Sequence, residues 1–160
     1  MERLTPAQAF NRIRHYCAYQ ERCHKEVKDK LYTFGLLSAE VEDIISKLIA
    51  EDYLNEERFA IHFAGGKFRL KNWGKRRIEM ELKARQISSY CIRKALAQIP
   101  DEDYENTFSR LAEKKRLSLK SEKNVFIKKR KIRDFLLSKG YPNELIQPYL
   151  QKMSKLPGNK

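Results

Sequence analysis

The sequence is poor in the residues that interrupt or cross-link a chain. Of its 160 residues only six are glycine, five are proline and three are cysteine. Three widely spaced cysteines, an odd number, argue against a disulfide framework and fit a reducing compartment such as the cytoplasm. Because glycine and proline are scarce and charged residues make up 34% of the chain, the predicted fold class is all-α.

Long hydrophobic runs are also missing. No apolar stretch approaches the roughly 18 residues that a membrane-spanning helix needs, and the amino-terminal residues do not have the pattern of a secretion leader. We therefore expect a soluble, cytoplasmic protein that has no membrane partner.

Catalytic and metal-binding motifs are the third absence. The three histidines are scattered, and the glycines form neither a phosphate loop nor a dinucleotide fingerprint. Cys17 and Cys23, with His15 and His24 nearby, lack the short spacing of zinc knuckles. The sequence predicts no catalytic residue, no metal, no cofactor and no enzyme activity.

Acidic residues are too few to balance the basic ones. The formal net charge is +13, and it changes from −2 over residues 1–60 to +4 over 61–109 and +11 over 110–160. Such a gradient favours a polyanionic partner for the later part of the chain. The alternative is that the excess only aids solubility, but solubility does not require polarisation.

Apolar positions repeat along the chain at constant offsets. A first set of six recurs 51 residues later and again after a further 54, and all eighteen positions are apolar. This self-similarity predicts three tandem three-helix repeats of helix-turn-helix type, packed as one elongated body. The sets are Val27, Leu31, Leu36, Val41, Ile45 and Leu48; Ile78, Leu82, Ile87, Ile92, Leu96 and Ile99; and Ile132, Leu136, Tyr141, Ile146, Leu150 and Met153.

The predicted boundaries follow from this pattern. The repeats occupy 1–53, 54–100 and 101–153, and the non-periodic segment 154–160 is expected to be a frayed tail. The helix stop after each second helix falls at Gly35, Gln86 and Gly140, and the cap of each third helix at Ser38, Ser89 and Asn143.

Other local signals refine the helices. Thr5 with Pro6 predicts a helix start, and Asn55 predicts another. The pair Gly65 and Gly66 is expected to interrupt or loosen the helix that follows Asn55. The segment Lys114–Lys123 is too polar for a core and is predicted to be exposed helix and loop.

Two basic segments are the candidate binding elements. Residues 67–85 hold eight basic groups against two acidic ones, and a second cluster spans 128–133. A solvated, salt-bridged face is the alternative, since Glu79 is placed to pair with Lys83. Phe68 and Trp73 could stack on bases, although a core role is favoured. The candidates are Lys67, Arg69, Lys71, Lys75, Arg76, Arg77, Lys83, Arg85, Lys128, Lys129, Arg130, Lys131 and Arg133.

The candidates differ in their expected orientation. On a helical wheel Arg76 and Lys83 face away from the apolar stripe and towards solvent. Lys128 and Lys129 flank the stripe of the third repeat, so their stems are expected to lie along the core edge. Arg130 and Arg133 are expected to be freer, and their guanidinium groups can make forked contacts to phosphate or carboxylate.

Three blocks together resemble a known family. DYLNEERFA (52–60), WGKRRIEMELKARQIS (73–88) and KKRKIRDFLLSKGY (128–141) occur in the order and spacing of the RecX family of bacterial recombination regulators, and the resemblance covers about residues 6–153. It implies an all-helical protein of three tandem three-helix repeats. It also implies a partner, the RecA recombinase filament, and non-sequence-specific affinity for single- or double-stranded DNA.

The resemblance further implies a mode of action. Such a protein lodges in the groove of the RecA filament, inhibits ATP hydrolysis and strand exchange, and favours filament loss. Asp52 and Gln86 depart from the family pattern, because glycine is common at both positions. Our hypothesis is that repeats two and three contact DNA, that repeat one contacts protein, and that the protein is a monomer.

Two other functions compete with this one. A helix-turn-helix transcription regulator would also carry basic tri-helical units, but the helices after the turns should then present base-reading side chains. Residues 89–98 offer mainly Arg93, Lys94 and Gln98, and residues 143–152 offer few. A passive helical adaptor is the third possibility.

Overall fold

The structure is a computed structural model that describes residues 2–155. Over that range the chain forms nine α-helices and a short 3-10 helix, with no β-strand, which confirms the all-α class. No helix within the described residues is long and apolar enough to span a membrane. The helices are α1 Pro6–Tyr19, α2 His24–Thr33, α3 Ser38–Ala50, α4 Glu56–Lys71, α5 Lys75–Ala84, α6 Ser89–Ala97, α7 Asp101–Ser118, α8 Val125–Lys139 and α9 Asn143–Lys152.

The eighteen repeating apolar positions supply much of the core. All of them are buried except Leu96, which is half-buried. Burying an aliphatic side chain stabilises the fold by roughly 1.5–3 kcal/mol relative to leaving it exposed. The repeat pattern therefore identified the positions that hold each set of helices together.

The helix stops are confirmed in their backbone conformation. Gly35, Gln86 and Gly140 have φ values of +83°, +62° and +101°, so all three take the left-handed conformation that ends a helix. Asp52 also has a positive φ, of +63°. The two positions at which the sequence departs from the glycine of the family pattern are thus left-handed turns occupied by side chains that disfavour them.

The predicted caps of the third helices are one residue too late. Helical backbone begins at the predicted cap residues themselves, and the residues before two of them, Leu37 and Pro142, are the ones that stay extended. At α3 the Leu37 N–H donates to the Glu40 carboxylate over 2.9 Å, and at α6 the Cys91 N–H donates to the Ser88 hydroxyl over 3.3 Å. The displaced caps are Ser38, Ser89 and Asn143, each the first residue of its helix.

Two other starts are confirmed. Thr5 and Gln8 form a reciprocal capping box, in which the Gln8 N–H donates to the threonine hydroxyl and the Thr5 N–H donates to the Gln8 side chain. Asn55 caps α4 by accepting a hydrogen bond from the Arg58 N–H over 2.9 Å. Each cap satisfies an amide that has no partner inside its helix.

The expected break at the paired glycines does not occur. α4 runs without interruption through Gly65 and Gly66. Each glycine costs a helix about 1 kcal/mol relative to alanine, but Ala64 and Phe68, on the same side of the helix, are both buried. Tertiary packing of that side outweighs the local preference.

The chain divides into two compact units. Unit 1 comprises Met1–Phe63 and Leu82–Ala95, and unit 2 comprises Ala64–Glu81 and Leu96–Lys160. The second predicted repeat contributes to both units, and the boundaries at 53 and 100 remain a prediction. Of the predicted frayed tail, residues 154 and 155 lie in the 3-10 helix Met153–Lys155, and residues 156–160 lie outside the described range.

The core of unit 1 is aliphatic. Ile13, Val27, Leu31, Val41 and Leu48 are each 0% exposed and come from α1, α2 and α3. Together they form the hydrophobic centre of the first three-helix set.

The core of unit 2 is aromatic. The Tyr141 ring lies 5.3 Å from that of Tyr104 and 5.4 Å from that of Phe108, measured between ring centroids. Burial raises the pKa of both tyrosines, so their hydroxyls stay protonated. The Tyr141 hydroxyl donates to the Asn72 carbonyl over 2.9 Å, and the Lys75 N–H donates to the Tyr104 hydroxyl over 2.9 Å. These bonds tie the start of α5 to helices α7–α9.

Candidate functional site

The amino end of α5 meets the carboxyl end of α8 within unit 2. The Gly74 N–H donates to the Lys139 carbonyl over 2.7 Å, and the Arg76 N–H donates to the Gly140 carbonyl over 3.0 Å. Arg77 adds a bond from its guanidinium to the Ser138 carbonyl over 3.2 Å. This junction fixes the basic start of α5 against the helix that carries the second basic cluster.

Only glycine fits at the centre of the junction. A Cβ on Gly74 would lie 2.4 Å from both the carbonyl carbon and the oxygen of Gly140. A Cβ on Gly140 would lie 2.5 Å from the Cβ of Arg77, and this residue also has a left-handed backbone. The two backbones approach each other closely because neither carries a side chain.

The aromatic residues of the first basic segment are not free to stack on bases. Phe68 is 7% exposed and packs 6.0 Å from the ring of Tyr104. The ring of Trp73 is approached by the Lys67 ammonium at 5.1 Å and by the Arg77 guanidinium at 4.3 Å. The contacts of Phe68 agree with its predicted core role, whereas Trp73 is only half-buried, and the two cations beside it are partly committed to its ring.

Three cations of the first segment stand on the surface of unit 2. Arg69, Lys71 and Arg76 are exposed, and within residues 2–155 none of them forms an ion pair. Lys75 is half-buried, over the ring of Tyr104 at 4.9 Å and 4.0 Å from the Asp101 carboxylate. This part of the segment is therefore not a neutralised salt-bridged face.

The remaining two candidates of that segment belong to unit 1. Lys83 is exposed, as the helical wheel predicts. Arg85 is half-buried, with its guanidinium 4.6 Å from the centre of the Phe63 ring.

The second cluster separates into buried, paired and unpaired cations. Lys128 is only 4% exposed, so the structure does not bring it to the surface. Lys131 lies 3.6 Å from Glu122. Lys129, Arg130 and Arg133 form no ion pair within the described residues. Their charges are the ones that α8 offers to a partner.

A groove runs beside these three cations, between α8 and α9. It has a volume of about 370 Å³, and Phe126, the first aromatic residue of α8, stands at its edge with 86% of its surface exposed. The sequence prediction missed Phe126 because it lies outside the apolar stripe. Phe126 precedes Arg130 by four residues and Arg133 by seven, which places all three on one helix face. This spacing is the feature of the sequence that could have identified Phe126. The groove is lined by Phe126, Ile127, Lys129, Arg130, Arg133, Gln147, Leu150 and Gln151.

Basic residues of unit 1 are more often ion-paired than the exposed basic residues of unit 2. Five of the eight lysine and arginine residues up to the end of α3 lie within 4.0 Å of an acidic side chain, either one turn away or on a neighbouring helix. Such pairs contribute little stability at a surface, but they leave little net charge to attract a polyanion. The pairs are Arg3 with Glu40, Arg22 with Glu26, Lys25 with Asp29, Lys28 with Glu42 and Lys47 with Asp43.

One arginine that was expected to be exposed lies in the core. Arg116 is 3% exposed, although the polar segment around it was predicted to be surface. Its Nε donates to the Glu113 carboxylate over 3.1 Å, and that carboxylate also accepts a bond from the Tyr149 hydroxyl. The hydrogen bond from Arg116 lowers the pKa of Glu113, and burial raises the pKa of Tyr149 to about 12. Pairing is what allows the guanidinium to be buried.

The cysteines have the character of core residues. Burial raises the pKa of Cys17 and Cys23 to about 11, so both remain neutral thiols at physiological pH. Among the described residues no three histidine, cysteine, aspartate or glutamate side chains are grouped so as to hold a metal ion.

Comparison with known proteins gives consistent matches. The family model described as "RecX, second three-helix domain" matches residues 55–96, and "RecX, third three-helix domain" matches residues 101–150. A protein named "Regulatory protein RecX" from Bacillus cytotoxicus is 28% identical over 141 residues, which cover 88% of this chain and 52% of that protein. Its namesake from Bacillus cereus strain B4264 is 28% identical over 139 residues, 86% of this chain and 51% of that protein. The chain thus spans about half the length of the curated relatives it matches.

Solved structures match over nearly the whole chain. The "Crystal structure of RecX from Lactobacillus salivarius" aligns with a TM-score of 0.82 and 26% identity, and covers 94% of this chain and 97% of that one. A second, titled "Crystal structure of regulatory protein RecX", aligns with a TM-score of 0.82 and 21% identity over 92% of this chain and 71% of that one. The second likeness bears on the fold alone.

Proposed function

The chain belongs to the RecX family of regulatory proteins, and on that premise we propose that it regulates the RecA recombinase by binding the RecA filament on DNA. In this proposal the bound protein inhibits ATP hydrolysis and strand exchange and lowers the stability of the filament. Unit 2 contacts the DNA backbone, and unit 1 contacts the protein.

The unpaired cations of unit 2 are the observation that carries the proposal. Arg69, Lys71 and Arg76 precede or begin α5, and three more cations stand on α8. A cation that has no acidic partner loses nothing when it meets a phosphate, whereas a paired one must first give up its carboxylate. Six such groups within one compact unit favour a phosphate backbone as the partner.

The junction of α5 with α8 supports the same assignment. Three backbone and side-chain bonds hold the start of α5 against the end of α8, so its basic side chains project from a fixed scaffold. Pre-positioned cations lose less conformational entropy on binding than flexible ones do. Guanidinium groups in particular can make forked contacts to phosphate oxygens.

Unit 1 supports a protein-facing role by its charge. Several of its basic residues are paired with acidic ones, as in Lys25 with Asp29 and Lys28 with Glu42, and this pairing weakens its attraction to DNA. It also presents exposed apolar side chains, including Tyr19 at 83% and Leu37 at 62%. Exposed aromatic and aliphatic groups are more typical of protein interfaces than of phosphate contacts.

The test is a RecA ATPase assay on single-stranded DNA into which the protein is titrated. The parent chain should inhibit, and the double variant Arg130→Gln with Arg133→Gln should require a higher concentration for the same inhibition. The matched control is Lys25→Gln with Lys28→Gln, which removes the same formal charge from residues that are already paired. The log–log salt dependence of binding to single-stranded DNA should become shallower by about 0.7 for each phosphate interaction that a substitution removes, and only in the first variant.

Two results would count against the proposal. If the parent chain does not inhibit the RecA ATPase, the proposal that it regulates RecA is refuted. Equal loss of affinity in the two double variants would show that net charge, and not the unit 2 surface, determines binding.

A further inference from the structure

We propose that the groove between α8 and α9 binds an unpaired nucleotide of a single strand, with its base stacked on Phe126 and its phosphates at Lys129, Arg130 and Arg133. This inference rests on the proposed function and deepens it. It assigns one nucleotide-binding subsite to this surface, and it states that the nucleic acid is single-stranded. Charge alone would not distinguish a single strand from a duplex.

The exposure of Phe126 is the first step. At 86% exposure it is the most exposed of the large hydrophobic residues in the described chain, whereas Phe59, Phe68 and Phe108 are between 4% and 7% exposed. Its backbone is held in the first turn of α8, because its N–H donates to the capping side chain of Asn124 over 3.0 Å. An aromatic ring that is carried on a helical backbone and has an open face can serve as a stacking platform.

The cations beside the ring are the second step. Lys129, Arg130 and Arg133 lie three, four and seven residues beyond Phe126, so they follow it along one face of α8 over about 10 Å of helix axis. All three line the groove, no acidic residue does, and none of the three is ion-paired within residues 2–155. A nucleotide whose base covers the ring therefore brings its flanking phosphates to unneutralised charge.

The opposite wall is the third step. Gln147 and Gln151 stand one turn apart on α9 and line the same groove. Each amide can both donate and accept hydrogen bonds, which matches the mixed donors and acceptors on the edge of a base. The groove thus offers a stacking face, phosphate ligands and polar edge contacts in one place. Its volume of about 370 Å³ falls in the range of pockets that hold small ligands, roughly 300–1,000 Å³.

Single-stranded nucleic acid fits this combination better than the alternatives. A duplex hides the faces of its bases, so it would use the cations and leave the ring in water. An acidic protein segment would also satisfy the cations, but it would need a recess for an apolar anchor, and the ring of Phe126 projects instead of lining a pocket floor.

The test compares two single strands of equal charge. A labelled oligothymidylate of about 12 nucleotides and an abasic strand of the same length are titrated with the full chain, followed by fluorescence anisotropy. Stacking of one base predicts about tenfold tighter binding of the base-bearing strand. Phe126→Leu, which keeps apolar area and removes the aromatic face, should reduce this preference to twofold or less. Val125→Ala, a change at the neighbouring, 43% exposed residue, should leave the preference intact.

Two outcomes overturn the inference. One is equal affinity of the parent chain for both strands, and the other is a base preference that survives in Phe126→Leu, as expected for a merely apolar contact. Circular dichroism melting curves establish that both variants fold. The inference and the proposed function fail separately, because base preference is measured without RecA. If the chain prefers the base-bearing strand but does not inhibit the RecA ATPase, only the proposed function is refuted and the inference stands.

Discussion

The substitution Gly74→Ala adds one methyl group at the place where α5 meets α8. The new Cβ would lie 2.4 Å from the carbonyl carbon and oxygen of Gly140 and 2.7 Å from the Tyr141 nitrogen. All three are backbone atoms, so no side chain can rotate away to make room. The backbone of Gly74 cannot retreat either without breaking its own bond to the Lys139 carbonyl.

The cost can be worked from these contacts. Overpacking by one methyl group costs about 1–3 kcal/mol. Separating the two backbones also breaks the bonds from the Gly74 and Arg76 amides, each contributing about 0.5–1.5 kcal/mol. The expected loss is about 3 kcal/mol or more, and at about 2–4 °C per kcal/mol in a chain of this size the Tm should fall by about 6–12 °C.

The assay is thermal unfolding followed by circular dichroism, with Gly66→Ala as the matched control. A Cβ on Gly66 would meet nothing within 4 Å. Because Gly66 lies in the interior of α4, its replacement should raise stability by about 0.5–1 kcal/mol. The reasoning is refuted if Gly74→Ala melts within 2 °C of the parent chain, since the junction would then not require a glycine.

Three further changes test other parts of the structure. Gln86→Gly should raise the free energy of unfolding by about 0.5–1 kcal/mol, because relief of a left-handed backbone exceeds the entropy that glycine costs; a lower urea midpoint would contradict this. The hydrogen bond from Arg116 lowers the pKa of Glu113 below its ordinary value of 4.5. The stability that ionised Glu113 contributes to the fold is therefore complete above pH 4.5 and is lost as the pH falls through the lower pKa of the folded state. Glu113→Gln should therefore flatten the dependence of the urea midpoint on pH below about 4.5, and an unchanged slope would exclude this ion pair as its source. Tyr104→Phe removes the acceptor of the Lys75 N–H and should cost about 0.5–1.5 kcal/mol by the same measurement; no loss would mean that water replaces the hydroxyl.

The elements of the fold were predictable because hydrophobic periodicity reports burial directly. The recurring apolar positions located the helices, and the stops at Gly35, Gln86 and Gly140 were predicted although one of them is not glycine. The predictions that were wrong here concern the exact residues at which helices begin. The helices α3, α6 and α9 begin at the residues that were predicted to be their caps, so each predicted cap is one residue too late. The extended residue is Leu37 before α3 and Pro142 before α9, and neither is a residue type that favours a cap.

Other misses arose from interactions between distant residues. The paired glycines of α4 did not break their helix, because buried neighbours such as Phe68 hold it in place. Arg116 was predicted to be exposed from the polarity of its segment, but it is buried and pairs with Glu113, three residues before it. That carboxylate also accepts a hydrogen bond from Tyr149, 36 residues further along, and local composition does not reveal this second contact.

The candidate site was predictable in its charge and not in its shape. The sequence located the basic segments and placed the stems of Lys128 and Lys129 along the core edge, but it could not show that Lys128 would be almost fully buried while Lys129 and Arg130 would line a groove. Phe126 was missed because one aromatic residue outside an apolar stripe carries no weight until its exposure is known. The groove also needs α9, whose position relative to α8 depends on tertiary packing.

The junction of α5 with α8 has a consequence for how phosphate can be bound. The free amides and positive dipole at the start of a helix ordinarily attract anions. Here the amides of Gly74, Lys75 and Arg76 already donate to a carbonyl, a tyrosine hydroxyl and a second carbonyl. The carbonyl end of α8 therefore compensates the positive end of α5, and these three amides are not available to an anion. Any phosphate held there must be held mainly by side chains, so replacing Arg76 should weaken its binding, and these three amides should leave no residual backbone contribution.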